Sequence, residues 1–142
     1  MMDKVKKYGY VLSFIILIII ALLIGFTIKK ADSKLMPVEV NDNSIKIMYN
    51  TYTEEDIVEV ELLNEVSLSG GSGLNTANIN NGRYKVNGDD FKSKVCIHKN
   101  ISPFIKLKTK DSTIVFNEND SDKTKKIYSK LKELCQKSEP KN

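Results

Sequence analysis

The first pattern along the chain is an unbroken apolar one. Between Lys7 and Lys29 no residue is charged, and Val11 to Ile28 is dominated by Ile and Leu around Phe14, Ala21, Gly25 and Phe26. At about 1.5 Å per residue these roughly 21 positions reach about 30 Å, the thickness of a bilayer's hydrocarbon core. The run predicts a transmembrane helix over 8–28, preceded by a short basic tail over 1–7. Lipid offers no partners to backbone amides and carbonyls, so only a helix satisfies such a segment. The rival is a cleaved signal peptide with Ala31 and Ser33 ahead of the cut. Signal cores run about 7 to 15 residues, so a retained anchor is preferred.

Beyond a polar linker over 29–43 that contains Pro37, the period changes to two. Ser44 to Asn50 puts Ile45, Ile47 and Tyr49 on one side. Ile57 to Leu63 alternates Val58, Val60 and Leu62 with Glu59 and Glu61. These runs predict two strands that form an antiparallel pair. Asn64 to Asn81, with Gly70, Gly71 and Gly73 clustered, predicts a long loop, or a loop holding a short strand. Further strands are predicted at Arg83 to Val86, Phe91 to His98, Phe104 to Lys110 and Ser112 to Asn117, each bounded by turn residues. The pattern then becomes helical: Ile127, Tyr128, Leu131, Leu134 and Cys135 form one stripe, Asp120 or Ser121 can cap its start, and Lys132 and Lys137 suit its end. The expected fold class is mainly β (α+β). Its domain, 44–138, has six to seven short strands and a C-terminal amphipathic helix, followed by a tail over 139–142.

Asp56 to Leu63, Gly82 to Lys85 and the stretch from Pro103 to Asn117 resemble bacterial pleckstrin-homology-like domains, and the resemblance spans Asn43 to Lys137, nearly all of the chain after the apolar run. It implies a bent antiparallel β-sandwich or barrel closed by the C-terminal helix. In that family such a domain often follows a membrane helix, and a definite ligand is generally unassigned. Family members that bind phosphoinositides use basic residues on the first two strands and their connecting loop. Here that region offers Lys46 alone against Glu54, Glu55, Asp56, Glu59 and Glu61, a surface that repels a polyanionic headgroup.

Charge narrows the partners further. The net charge is +4. Six of the 22 basic residues and two of the 18 acidic ones precede Leu35, leaving sixteen of each beyond it. The domain therefore lacks the strongly positive field of a nucleic-acid binder. The charge is nonetheless segregated, with one lysine against eight acids from Met36 to Glu65 and fifteen basic residues against eight acids from Gly82 onward. Lys106, Lys108 and Lys110 on one strand, with Lys92 and Lys94 on an expected neighbour, are candidates for contact with an anionic surface or an acidic partner. A solvated strand face is the plainer reading of the same lysines. Their patch and the acidic one can meet within a molecule or between molecules.

Little else points to chemistry. His98 is the only histidine, which excludes a His-based metal cluster within the chain. The glycine cluster lacks the Gly-Lys-Ser or Gly-Lys-Thr ending of a phosphate loop, and no cofactor is expected. Cys96 and Cys135 would close a loop of about forty residues, worth roughly 3 to 4 kcal/mol if bridged. Alternation puts Cys96 on the outer face with Lys94 and His98, so two independent thiols are preferred to a disulfide. The expectation is a non-enzymatic, membrane-tethered binding or scaffold module. It sits in the cell membrane with its N-terminus cytoplasmic and its domain outside, and its ligand is a protein, peptide or envelope component. The alternatives are a cell-envelope hydrolase or transferase using Asp or Glu with His98, and a structural subunit of a membrane complex.

Overall fold

The computed structural model describes residues 13–25 and 38–137, and the chain divides into two compact units, Met1–Leu35 and Met36–Asn142. In the first unit, residues 13–25 form helix α1, whose large apolar side chains from Phe14 to Ile24 are exposed on all sides. Thirteen residues rise about 20 Å, short of the roughly 30 Å of a hydrocarbon core. Among the described residues no helix is long and apolar enough to cross a membrane. This corrects the expectation of a spanning helix over 8–28, and with it the single-pass cell-membrane placement and the outward domain. An uncharged run bounds the length a helix can have without fixing its ends. Residues 8–12 and 26–28 of that run lie outside the described residues, as do the tails at 1–7 and 139–142.

The second unit is mainly β. Strands β1 (Val38–Val40), β2 (Ser44–Ile47) and β3 (Asn50–Thr53) form a small antiparallel sheet in that order. The strand expected over Ser44 to Asn50 is a strand only to Ile47, and the chain then turns a hairpin corner at Met48 and Tyr49 into β3. Met48 takes φ 57 and Tyr49 is 96% exposed rather than inward. Residues Glu54–Asp56 make one 3-10 turn, held by the Asp56 carboxylate, which accepts from Thr53 N at 2.8 Å and Thr53 Oγ1 at 2.9 Å.

The larger sheet contains β4 (Ile57–Leu63), β5 (Leu68–Asn75), β6 (Ile79–Val86), β7 (Lys92–His98), β8 (Phe104–Thr109) and β9 (Thr113–Phe116). Its order is β4-β8-β9-β7-β6-β5, antiparallel throughout except for the β7–β9 pair. Helix α2 (Ser121–Lys137) follows. Among the described residues, nine strands in two sheets with a parallel pair replace the expected pleckstrin-homology-like antiparallel sandwich of six to seven strands. Likewise β4 pairs with β8 and not with the Ser44 segment. Alternation specifies the two faces of a strand but not its neighbours. The glycine-rich stretch, expected as a loop or a loop holding a short strand, contains the eight-residue strand β5. There a Cβ on Gly73 would collide with the backbone of Asn81 and Gly82, and one on Gly71 with the Tyr84 ring, so glycine is what lets β5 lie against β6.

The large sheet must curl. Strands β4 and β5 are its opposite edges, about 24 Å apart if five inter-strand spacings were laid flat. Yet only residues 64–67 join them, and the step from Leu63 to Leu68 spans at most about 17 Å. Inside the curl Val86, Val95, Ile97, Phe104 and Val115 pack with Leu63, Val66 and Leu68. On the outer face Ile105, Leu107, Ile114 and Phe116 are covered by Ile45, Ile47 and Tyr52 of the small sheet and by Leu131 and Leu134 of α2.

Candidate functional site

Register decides which polar side chains meet at the end of the curl that carries the β8–β9 turn and the start of β7. Glu59 stands opposite Lys108 and Glu61 opposite Lys106 across the β4–β8 pair. The acidic strand and the basic strand thus partly neutralise each other. Lys108 comes within 3.9 Å of Glu59, with both side chains exposed. Lys106 turns to Asp89 of the β6–β7 turn at 2.9 Å, with both side chains more than three-quarters buried.

The remaining cations are grouped differently. Arg83 stands opposite Lys94 in the β6–β7 pair, so the two project from the same face. A concavity of about 480 Å³ is lined by Arg83, Lys92, Lys94, Lys108 and Lys110, with Asp111 its single carboxylate and Phe91 its single apolar wall. Phe91 is 53% exposed and also borders an adjoining concavity that holds the Lys106–Asp89 pair. Among the described residues, Arg83, Lys92, Lys94 and Lys110 form no ion pair. A polar floor is set by the β8–β9 turn, where Thr109 Oγ1 accepts from Ser112 N at 3.1 Å.

A third hollow, about 270 Å³, lies on the far side of that turn and is lined in part by Asp56, Lys94 and Lys110. The backbone N–H of Lys110 donates to the Asp56 carbonyl at 3.0 Å, so the acidic 3-10 turn abuts the cleft. The hydrogen bonds from Thr53, together with the nearby Lys110, hold the Asp56 carboxyl below its ordinary range.

Of the expected surface lysines, the cleft gathers Lys92, Lys94, Lys108 and Lys110, whereas Lys106 is taken up by Asp89. The β7 and β8 lysines are not on neighbouring strands, because β9 runs between them. Arg83 and Phe91 were not singled out in the sequence; only the β6–β7 register brings them to the cleft. His98 sits four residues beyond Lys94, about 13 Å along the strand and away from the cleft. Its backbone is held by Asn117.

Cys96 shares a face with Lys94 as its alternation predicts, but that face is covered there: Cys96 stands opposite Phe116 and is fully buried. The Cys135 thiol instead approaches the Val58 carbonyl at 3.8 Å on β4, and no disulfide joins the two cysteines. Strand β7 is three places from β4, about 14 Å across the sheet, whereas bridged cysteines need Cα atoms within about 7 Å. Among the described residues no cluster of three His, Cys, Asp or Glu could hold a metal ion. No family model, curated protein or solved structure matches this chain, so nothing from those comparisons identifies a pleckstrin-homology-like domain.

Proposed function

We propose that this chain is a non-catalytic binding module whose basic cleft takes an acidic segment of a protein. The observation that supports the reading is the group of cations without an ion pair among the described residues, Arg83, Lys92, Lys94 and Lys110, around one concavity beside Phe91. Clustered like charges raise one another's potential, and an anionic segment lowers the energy of all of them at once. The exposed Phe91 ring offers an apolar contact for a residue flanking the acids. The Ser112 hydroxyl beside the floor adds neutral hydrogen-bonding capacity, the Thr109 hydroxyl being engaged with the Ser112 backbone.

The test is fluorescence anisotropy of labelled hexaglutamate titrated with the full chain, with hexalysine as the control. Saturable binding of hexaglutamate alone is expected, and it should weaken as salt rises because the groups are solvent-exposed. Reversing Lys94 and Lys110 to Glu removes two contacts of up to about 1 kcal/mol each, so affinity should fall about tenfold or more. Equal binding of both peptides, or indifference to the double reversal, would refute the reading.

A further inference from the structure

We infer that the acidic segment seated in the cleft belongs to a second copy of this chain. The Glu54–Asp56 turn of one protomer enters the basic cleft of its partner, and the reverse contact forms at the same time. This rests on the reading of the cleft as an acid-binding site.

Compensation within the chain supports it first. Glu59 pairs with Lys108, and Glu61 stands opposite Lys106 without an ion pair to it, whereas Glu54 and Glu55 have no cation opposite them in a strand pair and are in no ion pair or side-chain hydrogen bond among the described residues. Sixteen basic and sixteen acidic residues from Leu35 onward cancel in number yet are segregated in space. Placement supports it second. The 3-10 turn and the cleft adjoin across the β8–β9 turn, joined by the Lys110–Asp56 backbone bond, with Asp56, Lys94 and Lys110 around one hollow.

An unneutralised acidic patch beside an unneutralised basic one is self-complementary under a two-fold axis passing between them. Each patch then faces its opposite, and the contact closes at two copies. A uniformly acidic foreign segment fits less well, because Glu54 and Glu55 stand next to the cleft and repel it. A second copy presents both signs and is matched by both.

Sedimentation equilibrium of the full chain tests this with two double variants, K94E/K110E and E54K/E55K. Circular dichroism first establishes that both variants keep the parent β spectrum. The parent should dimerise, and the dimer should weaken between about 50 mM and 500 mM salt. Each variant alone should lose affinity for itself by about tenfold or more, since the two-fold axis breaks every contact twice. An equimolar mixture should recover dimer, because reversed cleft meets reversed turn and native turn meets native cleft. A monomeric parent, association indifferent to both reversals, or a mixture no better than its components would overturn the inference. If hexaglutamate still binds in a Lys94-dependent way while the parent stays monomeric, the cleft reading stands and the second copy is excluded. If hexaglutamate also fails, both fall.

Discussion

Asn117 is the residue whose loss should cost the fold most for its size. It follows β9, and its side chain is fully buried. Its Oδ1 accepts from the His98 backbone N–H at 2.7 Å, and its Nδ2 donates to the His98 carbonyl at 3.0 Å and also to the Ile101 carbonyl. The amide therefore extends the parallel β7–β9 ladder one residue past Phe116, bonding His98 as a neighbouring backbone would, and it pins the loop after β7. Asn117→Ala strands one N–H and two carbonyls. Each unsatisfied buried group costs about 1–3 kcal/mol. His98 and Ile101 are only partly buried, so the lower end applies, giving about 3 kcal/mol in total. For a domain of about a hundred residues that is a large fraction of a stability of roughly 5–15 kcal/mol, and it lowers Tm by about 12–20 °C. Asn117→Asp separates hydrogen bonding from packing, because it leaves no cavity. It keeps the acceptor for His98 N–H but turns a carboxylate toward two carbonyl oxygens, so at neutral pH it should destabilise at least as much as Ala. Acidification should return part of the loss by restoring one O–H donor. Thermal and urea unfolding followed by circular dichroism measure both variants. The argument is refuted if Asn117→Ala falls within about 1 kcal/mol of the parent, or if Asn117→Asp matches the parent at pH 7.

Glu118, the next residue, titrates above its ordinary 4.5 because burial disfavours its charged form, with Lys123 opposing the shift. A raised folded value means that the native state holds the proton more tightly. The contribution is complete below about pH 4.5 and is lost as pH rises through the folded value. Glu118→Gln should therefore raise Tm at pH 7 and leave it unchanged near pH 4; equal effects at both pH values would contradict the burial argument. Gly73→Ala places a Cβ into the Asn81 and Gly82 backbone at φ 150, a conformation costing about 1–3 kcal/mol before any clash. Amide hydrogen exchange should show β5 losing protection while β8 and β9 keep theirs, and uniform protection would mean that the close β5–β6 approach is dispensable.

The limits of reading this chain from its sequence follow from what each signal measures. Ile57–Leu63 is a strand with the bounds its alternation predicts, and the Ser121 helix carries Leu131 and Leu134 into the core as its stripe requires. These are local properties, set by side-chain period within one element. Tyr49 was misplaced because Met48 enters the left-handed region, and no propensity rule puts a methionine there. The extent of strand β5 is not legible because its glycines meet turn and loop criteria equally well; their real cause, the proximity of β6, is a tertiary fact. The apolar run before Lys29 was read as one continuous helix, whereas the described helix covers 13–25.

The site is legible only in part for a related reason: four of the five candidate lysines line the cleft, but which of them are neutralised is not written in the sequence. A lysine's partner is set by sheet order, and sheet order was the least legible quantity in the chain. Lys106 and Lys94 look alike in sequence, each at one end of an every-second-residue run of lysines. Insertion of β9 between β8 and β7 puts them on opposite faces: Lys106 opposite Val115 on the inner face, and Lys94 opposite Ile114 on the outer one. Lys106 consequently reaches Asp89 and is neutralised, whereas Lys94 joins Arg83 at the rim and neither forms an ion pair among the described residues. A one-residue slip of register would reverse those faces without altering any residue. The unspent positive charge of the cleft is thus a property of topology, and the acids left over at Glu54 and Glu55 are its counterpart.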